Sequence, residues 1–138
     1  MNIYIGYKYR NVEDKQNLKD SLQKISEAIS SCGHNVFILG RDKYNWNHDS
    51  VPASQSIIPI IKNIKKSDIL FTYVENDKRS IGLTFEYICA KVLGKKIITA
   101  VRMDIKGTLF KKFSNNIIEF FSTEDLVSKI KDSLNSLI

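Results

Sequence analysis

Apolar residues along this chain fall into short solid runs, separated by longer stretches where they recur every three or four positions. The first run is Asn2-Ile3-Tyr4-Ile5, closed by Gly6. From Asn11 to Ser31, Leu18, Leu22, Ile25 and Ile29 stand at helical spacing, and Gly33 is placed as a stop. Val36-Phe37-Ile38-Leu39 is a second strand, closed by Gly40, and Arg41 to Pro52 reads as a long polar loop. Ile57, Ile61 and Ile64 mark a second helix, in which Pro59 predicts a late start or a kink. Asp68 to Val74 is a third strand, Gly82 to Leu93 a third helix with Gly94 as its stop, and Lys96 to Val101 a fourth strand. A fifth strand, Asn116 to Phe121, precedes a last helix with the stripe Leu126, Ile130, Leu134 and Leu137; Ser122 and Asp125 are spaced as a capping box.

Strands that are apolar on both faces and alternate with helices predict a parallel sheet covered on both sides. The expected fold is therefore α/β, a doubly wound, about five-stranded and mostly parallel sheet of flavodoxin or Rossmann type. Ligands of such sheets bind at the carboxyl ends of the strands. That points to four segments: Gly6 to Arg10, Gly40 to Asp49, Glu75 to Glu86, and Arg102 to Ser114.

Composition narrows the class. With 138 residues, of which 43% are hydrophobic and 26% charged, the chain suits one globular domain over 1–138 and is too apolar for a disordered one. No run of eighteen apolar residues suggests a membrane span, and the start lacks the basic-then-apolar layout of a signal peptide. Two distant cysteines, Cys32 and Cys89, and two histidines offer neither a zinc spacing nor a CxxC pair, so no metal and no cofactor is expected. A reducing, cytoplasmic setting fits these thiols. The net charge of +6 favours an anionic partner. Lysines interspersed with acids, without a basic face carrying several aromatics, argue against nucleic acid.

The loop Gly6-Tyr7-Lys8-Tyr9-Arg10-Asn11 joins cations, a glycine and a helix start, which are the components of an anion site and equally those of a solvated basic turn. After the third strand, Glu86 falls in the first turns of a helix otherwise filled by Phe85, Ile88, Ala90 and Val92. A carboxylate there either interacts with the helix N-terminus or serves as nucleophile or general base at the crevice. Periodicity does not decide between them.

The segment Ser80-Ile81-Gly82-Leu83-Thr84-Phe85-Glu86-Tyr87, followed by Ala90 and by Gly94-Lys95-Lys96-Ile97-Ile98, resembles the signature of the nucleoside 2-deoxyribosyltransferase-like family. Ile3-Tyr4-Ile5-Gly6 is similar to that family's first strand. The resemblance implies that Glu86 attacks the anomeric carbon of a nucleoside or nucleotide, displaces the base, and forms a covalent glycosyl-enzyme. It also implies that Tyr4 stands near that carboxylate and the sugar; a core tyrosine is the other reading. Transferases of the family carry an aspartate six positions before the nucleophile, whereas its 2'-deoxynucleoside 5'-monophosphate N-hydrolases have a serine there and an arginine in the first loop. Ser80 and Arg10 match the hydrolase pattern, with Lys8 adding charge, so a 5'-phosphate is the expected anchor. A homodimer is likewise implied by that branch.

The chain departs from the family at the second helix. There the family places an aspartate that assists departure of the base, and counting back from Asp68 reaches Ile60; Val51 to Ser67 holds no carboxylate. A neutral base leaves poorly unless protonated. Three explanations follow: Asp49, His48 or Asp77 supplies the acid from a loop; the leaving group is already cationic, as nicotinamide is in NAD; or the protein binds nucleotides without cleaving them. The serine that hydrolases contribute across the dimer is also displaced. The count falls on Phe110, with Ser114 nearby and Asn115 and Asn116 as further candidates. Arg41, Tyr44 and Trp46 are candidates to bond to or stack on a base, the tryptophan otherwise folding over the core. Nucleoside transfer, NAD-type glycohydrolysis and a non-catalytic nucleotide-binding module thus stand beside monophosphate hydrolysis.

Overall fold

A computed structural model describes residues 1–9, 12–47, 52–76, 80–105, 111–112 and 114–137. Its strands are β1 (Asn2–Tyr7), β2 (Asn35–Ile38), β3 (Ile69–Val74), β4 (Lys96–Arg102) and β5 (Asn116–Phe120). The helices are α1 (Lys15–Ser31), a short α2 (Leu39–Asp42), α3 (Ile57–Lys66) entered through a 3-10 turn at Ala53–Ser56, α4 (Ile81–Val92) and α5 (Thr123–Leu137). All four strand pairings are parallel, in the order β2-β1-β3-β4-β5. This is the expected doubly wound α/β sheet, in the strand order of flavodoxin.

Side-chain alternation divides the core in two. On one face Ile3 and Ile5 of β1, Phe71 and Tyr73 of β3, Ile98 and Ala100 of β4, and Ile118 and Phe120 of β5 meet α1 and α5. On the other, Tyr4, Leu70, Val74, Ile97 and Val101 meet α3 and α4 through Ile60, Ile64, Leu83, Tyr87 and Ala90. β3 is central and buried at all six positions, which is why its sequence reads as one apolar run. Each large aliphatic side chain fully buried in this way contributes about 1.5–3 kcal/mol.

Several boundaries move, each for a local reason. α1 begins at Lys15 rather than Asn11, because Asp14 accepts the Asn17 amide at 2.9 Å and caps the helix there. β2 stops at Ile38. Its final amide is taken by Asp42 Oδ2 at 2.8 Å, while Leu39 to Asp42, expected as strand end and loop, coil into a helical turn. α3 starts before Pro59 and not after it. The proline is its third residue, where an amide would have no intrahelical partner in any case, so neither a late start nor a kink is needed. Gly33 and Gly94 take left-handed φ values of 90° and 70° after α1 and α4, as their placement as helix stops predicts. At the head of α5, Ser122 Oγ accepts the Asp125 amide at 3.2 Å, and Asp125 reaches back to the Phe121 amide at 3.0 Å.

Candidate active site

Strand order reverses between β1 and β3, so the chain leaves β1 toward β2 and returns on the other side. The carboxyl ends of β1 and β3 therefore border the crevice in which open parallel sheets hold their ligands. Lys8 and Tyr9 follow β1 at this edge. The start of α4 follows β3 at the same edge and carries Ser80 and Glu86.

Ser80 is the N-cap of α4: its Oγ accepts the Leu83 amide at 3.1 Å, and its carbonyl accepts the Thr84 hydroxyl at 2.8 Å. The cap uses an oxygen lone pair, so the hydroxyl proton stays available to an acceptor outside the helix. Six residues further on, α4 directs Glu86 inward onto the sheet. The side chain is only 7% exposed and comes down over Gly6 of β1. A β-carbon built on Gly6 would lie 3.7 Å from Glu86 Oε1 and 3.0 Å from Leu83 Cδ1. Glycine at position 6 thus relieves crowding against the Leu83 side chain of α4, while the carboxylate stands at ordinary contact distance from the strand.

Tyr4 projects from the same face of β1. It is fully buried, and its ring packs against Phe37 at 5.5 Å between centroids. Its hydroxyl closes no well-formed hydrogen bond among the described residues, yet it is near enough to Glu86 that the two groups alter each other's acidity. Burial raises the Glu86 carboxyl to about 8, and the Tyr4 phenol pulls in the opposite direction. Tyr4 is held well above the ordinary phenol range, first by burial and then by the Glu86 charge. Tyr7 and Cys89 are raised by the same two causes. Ile60, at the position where the resemblance implies an aspartate, is buried in one core layer with Tyr4, Leu39 and Leu70. Among the described residues no group of three or more histidine, cysteine or acidic side chains is placed to hold a metal ion.

The remaining candidates are dispersed. Lys8 is half-buried just beyond β1; Arg10, His48, Asp49 and Asp77 lie outside the described residues. Arg41 is turned toward α1, donating to Ser26 Oγ at 2.8 Å and Gln23 at 3.3 Å while pairing with Asp42 at 3.0 Å. Trp46 packs on the α1 side of the core with Lys19 over its ring at 5.9 Å, and Tyr44 meets Ser56 at 3.2 Å. Ser114 stands just ahead of β5, at that strand's amino end, with its hydroxyl against that of Thr99. Asn115 binds the Ile97 backbone at the same end. Because β4 and β5 are parallel, the chain after Arg102 must cross from one end of the sheet to the other, and by Ser114 it has left the carboxyl edge.

Two residues of the site escaped the sequence reading. Tyr7 accepts the Gly40 amide on its hydroxyl at 3.2 Å and ties α2 to β1. Thr72 is a buried hydroxyl in an otherwise apolar run, and that lone polar position inside a central strand was the available signal.

The molecule thus belongs to the doubly wound class with flavodoxin strand order, and bears a buried carboxylate at the point where that order reverses. Among solved structures it is similar to the CMP N-glycosidase BcmB of Clostridium botulinum, with a TM-score of 0.70 at 15% identity over 96% of this chain and 99% of that one. A 2-deoxyribosyltransferase from Bacillus psychrosaccharolyticus matches with a TM-score of 0.64 at 17% identity over 92% and 90%. The NAD(P)H:quinone oxidoreductase of Methanothermobacter marburgensis matches with 0.58 at 13% over 100% and 99%. No family model matches the chain, and no curated protein matches it in sequence. The fold is thus one that an N-glycosidase, a deoxyribosyltransferase and an oxidoreductase share. Since an oxidoreductase shares the architecture, activity has to be argued from the site.

Proposed function

We propose that this chain is an N-glycosidase of (2'-deoxy)nucleoside 5'-monophosphates. The observation that carries the reading is the Glu86 carboxylate, buried against Gly6 beside Tyr4 at the switch point. Glu86 attacks C1' as the bond from C1' to the base nitrogen breaks, and the bonding pair leaves with the base, which gains a proton. Water then cleaves the glycosyl ester, placing its hydroxyl on C1' and returning the carboxyl group to Glu86. Ser80, Lys8 and Arg10 bind the 5'-phosphate, with the α4 N-terminus contributing its partial positive charge. An apolar slot that penalises the free Glu86 carboxylate suits this cycle, because forming the glycosyl ester removes that charge.

A second reading is favoured by Ile60. An apolar side chain where the leaving base would need an acid suits a base that departs already neutral from a cationic glycoside, of the nicotinamide type. Asp77, Asp49 and His48 are the acid candidates if the base is an ordinary one.

The protein also pairs with itself in this proposal. Ile81, Phe85, Ile88 and Val92 form one helical stripe on α4, continued by Ile57, Ile58 and Ile61 on α3. Ile81, Val92 and Ile58 are 91%, 80% and 76% exposed. The α4 stripe carries no charge, so a second copy meets it without like-charge repulsion.

The test is release of free base, followed chromatographically, from deoxy- and ribonucleoside monophosphates, the matching nucleosides, and NAD, by wild type and Glu86→Ala. Release from monophosphates by wild type alone is expected. Release of nicotinamide alone moves the assignment to the second reading, and exchange onto an added free base marks a transferase. No release, with nucleotides still raising the melting temperature, overturns the enzyme reading and leaves a binding module.

A further inference from the structure

Thr72 lies in the middle of β3, in register with Gly6 of β1 on one side and Thr99 of β4 on the other. Alternation puts it on the α3/α4 face with Leu70 and Val74. Its side chain is fully buried, and its hydroxyl has no hydrogen-bond partner among the described residues. A buried hydroxyl left in that condition is costly, and valine would fill the same volume without the cost. Thr99, its neighbour in the row, is in a different position because its hydroxyl is matched by Ser114.

The unmatched hydroxyls of Tyr4 and Thr72 lie on the same face of the sheet, along β1 and across from Gly6 on β3. The Glu86 carboxylate descends over Gly6, and Gly6 is the strand neighbour of Thr72. Adjacent strands are about 4.8 Å apart, so a threonine side chain on β3 flanks the space above Gly6 into which the Glu86 carboxylate reaches. Tyr4, two residues before Gly6 on β1, flanks the same space along the strand. A carboxylate accepts several hydrogen bonds, whereas a neutral carboxyl group is satisfied with fewer.

We propose that Thr72 is a positioning residue for Glu86, its hydroxyl donating a hydrogen bond to the carboxylate from the β3 side when that group ionises. The ionised side chain then has one hydroxyl donor from β1 and one from β3, which hold it in a single orientation under the crevice. That this orientation serves attack on a sugar rests on the function proposed above; the hydrogen bond itself does not. The other titratable groups that feel the Glu86 charge are Tyr4 on the same face of β1, Tyr7 on its opposite face, and Cys89 of α4. The sides facing it from β3, β4 and α3 carry Leu70, Thr72, Ile97, Thr99 and Ile60, none of which titrates.

The test is a substrate-free titration of protein labelled with carbon-13 at the glutamate carboxyl groups, with the Glu86 resonance identified by its loss in Glu86→Gln. Thr72→Val, which keeps the shape and removes the donor, is expected to raise the Glu86 midpoint by about one pH unit, a tenfold change in its ionisation constant. Thr72→Ser, which keeps the donor, is expected to stay near wild type. A Thr72→Val midpoint that is unchanged or lowered overturns the proposal. Should Thr72→Val fail to fold, Thr72→Ala gives the same comparison. A shifted midpoint in a protein that releases no base overturns the glycosidase reading and leaves this one standing, and base release with an unshifted midpoint does the reverse.

Discussion

Glu86 couples the stability of this protein to pH with a definite sign. Its folded-state value of about 8 lies above the usual 4.5, because burial penalises the charged form. A raised value means that the contribution is fully present below about pH 4.5 and is lost as pH climbs through 8. The loss runs at about 1.4 kcal/mol per pH unit in that window. Glu86→Gln, neutral throughout, is expected to match wild type near pH 5 and exceed it by a few kcal/mol at pH 8.5, measured by urea unfolding at both pH values. Parallel stabilities at the two pH values would show that the folded protein ionises Glu86 freely. On the proposed function, Glu86 would weaken the fold in the ionised form in which it attacks, the usual trade between stability and activity.

Caps decide where the helices begin, and two of them separate structural from functional roles. Asp14→Ala removes the acceptor of the Asn17 amide and Ser80→Ala that of the Leu83 amide; each is expected to cost about 1 kcal/mol in unfolding experiments. Only Ser80→Ala is expected to raise KM for a monophosphate as well, by roughly tenfold, the worth of one charge-assisted hydrogen bond. Equal KM values for the two variants would remove Ser80 from the phosphate site. At this scale the helices and central strands were legible, because burial on one stripe or on both faces leaves a period in the sequence. The beginning of α1 and the end of β2 were not. They turn on single side chains, Asp14 and Asp42, that compete for backbone amides, and such competition has no period.

On the scale of the whole molecule, the exposed faces of α3 and α4 stand out. Several isoleucines and a valine on these helices stand exposed to solvent, and a contiguous apolar patch of this kind marks an interaction site. The double variant Ile88→Glu, Val92→Glu is expected to convert a dimer to a monomer in sedimentation velocity, with little change in secondary structure. A wild-type protein that sediments as a monomer at tens of micromolar would overturn self-association through this face. α4 then has two tasks, with Glu86 on its inner side and the stripe on its outer side.

The alternation of solid apolar runs with helical periods was enough to define the parallel doubly wound sheet, because burial on both faces constrains every residue of a central strand. Glu86 and Ser80 stand in the segment after the third strand, and with Tyr4 they were singled out by the resemblance of short motifs to a known family. What no linear pattern contains is proximity. Tyr4 and Glu86 are 82 positions apart in the chain, and they meet only because β1 and β3 pair while α4 folds back over Gly6. The same folding turned Arg41 toward α1, laid Trp46 on the core and carried Ser114 to the far end of the sheet. It also left Thr72 as a buried hydroxyl without a partner among the described residues, in register with the glycine under Glu86. Secondary structure follows from local periodicity and burial, whereas a site depends on which strands become neighbours, and that is settled only when the two layers of helices close over the sheet.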